Sequence, residues 1–125
     1  MEKYIVIAIG GSIGAVSRYI VSTLSAKYFG TDFPYGTLIV NIIGSFILSF
    51  FMVLSIEKLA LNPLWRLFFA TGFLGAFTTL SSITYETLAI AQDGDYIKAL
   101  INIFANFFIS LLFAYIGFIL AKTLL

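Results

Sequence analysis

Neither cysteine nor histidine occurs in the 125 residues, and charge is scarce: Asp, Glu, Lys and Arg together make up 10% of the chain. The first absence removes disulfides, thiolate nucleophiles, imidazole bases and the usual zinc, copper and haem ligands together. Enzymes that depend on those groups are not expected. The second absence leaves a net charge of +1 with no Lys/Arg cluster, which gives nucleic acid nothing to bind and anionic lipid no strong patch. Proline is confined to Pro34 and Pro63, both in links between apolar runs.

What is abundant is hydrocarbon. A hydrophobic content of 61% and a mean hydropathy of +1.06 describe a chain whose solvent is a bilayer. Four apolar runs, about 4–25, 36–56, 64–91 and 96–120, each reach the roughly 20 residues a membrane helix needs. The links are too short to form a core of their own, so the reading is an all-α membrane protein with one transmembrane domain over residues 1–125. The first run is too long and too glycine-rich for a cleaved signal peptide, with only Lys3 in its charged leader. With four spans both termini share a side, where Lys3, Lys58, Arg66 and Lys122 face Lys27 and Lys98 across the membrane. That bias places the termini in the cytoplasm or is small enough for insertion both ways.

The stretch Ala70 to Glu86, ATGFLGAFTTLSSITYE, organises the rest. Gly72 and Gly75 are poor helix residues, and Thr78, Thr79, Ser81, Ser82 and Thr84 bring hydroxyls to membrane depth. An opened backbone there must be buried in protein, line a watery cavity or hold an ion. The competing reading is an intact helix packed closely on a neighbour, its hydroxyls bonded back to its own turns.

In the first run Gly10, Gly14 and Arg18 recur every four residues, a smooth face ending in a permanent charge. Arg18 either snorkels to the headgroups or charges an anion-attracting vestibule, and the two are compatible. Asn41, Ser45 and Ser49 in the second run, one turn after Thr37, and Asn102, Asn106 and Ser110 in the fourth form ladders at helical spacing. Such ladders serve as interhelical glue or as a track of neutral donors for an ion. Glu86 is the one acid inside a span, expected as a structural partner of Arg18 or of nearby hydroxyls. No second membrane-embedded carboxylate supports two-acid hydrolysis.

These motifs resemble the Fluc, or CrcB, family of fluoride channels. The likeness runs through Gly10-Gly11, Gly14, Ala15, Arg18 and Tyr19, then Pro34 to Asn41, then Gly72 to Thr79 with Ser81 and Glu86. It implies a dual-topology, antiparallel homodimer in the inner (plasma) membrane that passively exports fluoride from the cytoplasm through two pores. It also implies a central structural sodium ion held by the backbone carbonyls of Gly75 and Thr78. The pore residues it implies are Asn41, Ser110 and Asn106, with Ser81 nearby and Arg18 charging the vestibule. The family's third-helix phenylalanines are replaced here by Leu80 and Ile83. Three outcomes stand open: conduction by the polar track alone, altered rate or selectivity, or pairing with a homologous second subunit. A small multidrug transporter would carry a glutamate in its first span, and no acid lies between Tyr4 and Ser25.

Overall fold

The computed structural model describes residues 1–124; Leu125, the last residue of the single domain read from the sequence, lies outside them. Four helices are long and apolar enough to cross a membrane: Glu2–Phe29, Tyr35–Lys58, Pro63–Gln92 and Tyr96–Thr123. There are no strands among the described residues. The helices run past the apolar stretches because their polar ends are helix formers that continue the backbone bonding into the interface. Their limits are set by turn chemistry. Gly30 and Gly94 take positive φ (84° and 91°) just after the first and third spans. Asn62 Oδ1 accepts from Leu64 N–H at 2.9 Å, and Asp95 Oδ1 from Lys98 N–H at 3.0 Å, starting the third and fourth.

The first span packs on the leading half of the third, and the second packs along the fourth. Glycine decides how closely. A Cβ at Gly10 would strike the Phe68 carbonyl oxygen and one at Gly14 the Phe73 carbonyl oxygen, so backbone lies on backbone there. Gly72 answers from the other side, where a Cβ would lie 2.8 Å from Ile7 O. Lipid supplies no hydrophobic drive between helices, so this close approach with its dispersion contacts is what holds the pair.

The distribution of side chains is inverted relative to a water-soluble bundle. The most buried residues are Val40, Val53, Leu74, Phe77, Ala99 and Ala121 alongside Ser25, Thr37, Asn41, Ser55, Asn102 and Asn106. Isoleucines, leucines and aromatics cover the outside. Polar groups in hydrocarbon must find partners inside the protein, and Asn41, Asn102 and Asn106 do so together.

The third span is interrupted at Thr78, which turns extended (φ −86°, ψ 159°) after the helical turn Gly75–Phe77. Helix resumes at Ser81–Gln92. The opening lies downstream of the glycines: Gly72 serves helix contact, in a wide-turn segment Leu67–Leu74 with i→i+5 bonding, and the hydroxyl-rich residues are where the backbone parts.

Candidate functional site

Two amides and a break make the site. Asn41, buried on the second span, faces Thr79 and treats it as a strand neighbour would. Its Oδ1 accepts from Thr79 N–H at 2.9 Å, and its Nδ2 donates to Thr79 O at 3.1 Å. The same Nδ2 donates to Asn106 Oδ1 of the fourth span at 2.9 Å. One side chain thus replaces backbone bonds that the third span lost by opening.

The break frees particular carbonyls. In an unbroken helix Thr79 N–H would bond to Gly75 O, and Ser82 N–H to Thr78 O. Here Thr79 N–H goes to Asn41 and Ser82 N–H goes to Thr79 Oγ1 at 3.2 Å. Among the carbonyls so released, which include those of Ala76 and Phe77, are the two assigned to sodium from the resemblance, on Gly75 and Thr78. Oxygen atoms of this kind suit a hard monovalent cation, so the donor set fits. Gly75 is exposed on the outer face of the subunit, whereas Thr78 is half-buried, with its N–H and its hydroxyl both donating to Leu74 O (3.1 and 3.0 Å).

Arg18 reaches the same place from the first span. Its Nε donates to Ala76 O at 3.0 Å, setting a fixed positive charge on the carbonyl end of the leading half-helix, where the dipole is negative. Arg18 therefore does not pair with Glu86. The Glu86 carboxylate accepts instead from the Thr37 hydroxyl at 2.5 Å, and its second oxygen is buried without a partner. Of the two partners read from the sequence, the hydroxyl is the one found.

Beside the break runs a cleft of about 530 Å³. Eight of the residues singled out in the sequence line it: Asn41, Ser45, Thr78, Thr79, Leu80, Ile83, Asn106 and Ser110. Ser110 Oγ is buried with no hydrogen-bond partner within the subunit. Leu80 and Ile83 sit at the first turn of the trailing half-helix, the positive end of its dipole. The cleft is thus neutral in formal charge and biased toward an anion.

Ser81 is not among the lining residues; it is exposed, with its hydroxyl 3.3 Å from Thr79 Oγ1. Arg18 stands outside the cleft as well. Two features escaped sequence reasoning. The aromatic ring in the cleft is Phe107 of the fourth span, while Phe77 is buried and Tyr85 faces outward. Thr87 accepts from Asn102 Nδ2 at 3.1 Å. Phe107 follows Asn106 directly and helical spacing places it at the edge of the polar stripe; no sequence signal marks Thr87.

The chain matches the family model described as CrcB-like protein, Camphor Resistance (CrcB), over residues 5–118. A protein of a Sulfurihydrogenibium species named fluoride-specific ion channel FluC is 66% identical over 124 residues, covering 99% of this chain and 100% of that protein. Proteins of the same name are 47% identical in Thermosipho melanesiensis, covering 96% of both chains, and 44% identical in Legionella pneumophila, covering 100% of this chain and 93% of the other.

Proposed function

The chain belongs to the CrcB family, and from that premise we propose that it is a fluoride-specific ion channel, passing the anion passively out of the cytoplasm across the inner membrane. The observation that carries this reading is the cleft, in which Asn41, Asn106 and the unpartnered Ser110 hydroxyl stand together beside the interrupted third span. Fluoride holds its water strongly, so a path for it must offer hydrogen-bond donors in sequence without binding so tightly that the ion stays. Amides and hydroxyls fit that demand. No residue here makes or breaks a covalent bond.

The functional unit is an antiparallel homodimer with two pores. A single subunit leaves the cleft open along its side and Gly75 on its outer face, and a second copy of opposite orientation would cover both. Gly75 and Thr78 of each subunit would hold a sodium ion between them; when bound, that ion supplies a fixed central positive charge and satisfies their released carbonyls. Lipid surrounds the assembly. The test is fluoride efflux from vesicles containing only this chain. Rapid efflux that responds to membrane potential is expected, and none would end the reading.

A second reading, a pore-modifying or non-conducting subunit that works with a homologous partner, is favoured by one observation: Leu80 and Ile83 give the cleft aliphatic walls at the turn nearest Asn41. A methyl surface gives an anion nothing, whereas a ring edge carries the positive part of its quadrupole. Installing Leu80→Phe and Ile83→Phe together is expected to raise fluoride efflux roughly fivefold, the equivalent of about 1 kcal/mol. Efflux measured on both forms in the same vesicles decides it. Unchanged rates would show that these walls do not limit passage.

A further inference from the structure

Resting on the sodium reading, we propose that Gly44 is a positioning residue: by carrying no side chain it lets the break seat against the second span, and so sets where the Thr78 carbonyl lies. Gly44 is buried one turn after Asn41, on the same face of the second span. A Cβ there would strike the Cγ2 methyl of Thr78, whereas Phe77 Cδ2 at 3.4 Å and Thr78 Cβ at 3.7 Å would be ordinary contacts. The obstacle is one methyl group.

That methyl cannot be turned aside. Thr78 donates its hydroxyl to Leu74 O at 3.0 Å, and with the hydroxyl so committed the chirality of Cβ sends the methyl to Gly44. Rotating χ1 to either of the other staggered positions gives no relief. One puts the hydroxyl oxygen where the methyl was, against the same added Cβ. The other puts the methyl where the hydroxyl was, closer to Leu74 O than carbon and oxygen approach even in weak contacts. An alanine at position 44 therefore displaces backbone.

The displaced backbone carries the carbonyl. Thr78 C=O and Thr79 N–H belong to one planar trans peptide, and that N–H donates to Asn41 Oδ1 at 2.9 Å. Asn41 thus aims the peptide, with its carbonyl directed away from the second span, and Gly44 sets the distance at which it stands. Thr78 O would hold the sodium ion together with Gly75 O. A cage of oxygens selects by size and ligand placement, so a shifted peptide costs affinity for the ion.

The test pairs Gly44→Ala with Thr78→Ser, which keeps the hydroxyl and deletes the methyl that the new Cβ would strike. Unfolding midpoints of the full chain in detergent are compared in sodium chloride and in N-methylglucamine chloride, whose cation is too large for a cage of carbonyls. Sodium is expected to raise the midpoint of the unmodified chain by about 5 °C and that of Gly44→Ala by less than about 1 °C. On Thr78→Ser and on the double variant it should act as on the unmodified chain. A general loss of stability would lower the midpoints in both salts and leave their difference intact. A Gly44→Ala variant that keeps the full rise, or a double variant that does not regain it, would overturn the proposal. If Gly44→Ala does not fold, the double variant must fold and show the rise. If sodium has no effect on the unmodified chain, the sodium reading fails on its own, and the carbonyl carbon-13 resonance of residue 78 decides instead. It should move when Gly44→Ala is made in the unmodified chain and stay put when it is made in Thr78→Ser; a resonance unmoved in the first background, or moved equally in both, sinks the role of Gly44.

Discussion

Asn41→Leu should cut fluoride efflux about a hundredfold and also loosen the fold, the first effect following from about 3 kcal/mol of lost interaction. The substitution removes three hydrogen bonds at once, to Thr79 N–H, to Thr79 O and to Asn106 Oδ1. Leucine fills the volume but leaves all of those buried or half-buried groups without their protein partner, each at a cost of about 1 kcal/mol or more. In membranes such bonds average nearer 0.6 kcal/mol because the unfolded chain also finds partners, so the loss of stability should be about 2 kcal/mol. The role in conduction and the role in holding the break are separable. Asn41→Asp retains an acceptor for Thr79 N–H and loses both donors, so it should keep more of the stability and still lose the flux. Efflux from vesicles and thermal unfolding in detergent measure the two quantities. A leucine variant that conducts within about twofold of the unmodified chain would remove Asn41 from the pathway.

Gly14→Ala is the second large effect, and it falls on assembly of the subunit rather than on ion passage. The added Cβ would meet the Phe73 carbonyl, which is backbone and cannot rotate away. The first span would have to back off the third, giving up contacts along their whole crossing, for a cost of about 3 kcal/mol. Arg18 lies one turn further along the same helix, so a shift of the first span also pulls its Nε from Ala76 O. The control is close at hand. A Cβ at Gly11 would lie 3.8 Å from Gly72 O, an ordinary contact, so Gly11→Ala should be nearly neutral despite adjoining Gly10 in the same helix. Yield of folded protein and its unfolding temperature in detergent should fall sharply for Gly14→Ala alone. Similar values for both variants would mean that the helices are not held at backbone contact.

Both predictions depend on features the sequence shows unevenly. The ladder Asn102, Asn106, Ser110 can be read from spacing alone because helical periodicity puts those positions on one face. That Asn41 binds both the N–H and the carbonyl of Thr79 cannot, since nothing in a sequence states which residues meet across helices 38 positions apart. The opening expected within Ala70 to Glu86 is found, but its position within that stretch was not legible: it falls at Thr78, while Gly72 is used for contact with the first span. Low helix propensity is a local cost, and a neighbouring backbone lying against Gly72 outweighs it. For Glu86 the sequence left two partners open, Arg18 or a hydroxyl, and only the packing of the second span chose the Thr37 hydroxyl.

By itself the sequence determined the solvent, the number of spans, the absence of thiol and imidazole chemistry, and the faces that carry amides and hydroxyls. These are sums and periodicities along the chain, so they survive without knowledge of contacts. Tertiary structure alone decided which carbonyls the break releases, where Arg18 places its charge, and which way each buried amide is turned. Those depend on hydrogen bonds between helices, and a hydrogen bond exists only once its two ends have been brought within about 3 Å of each other.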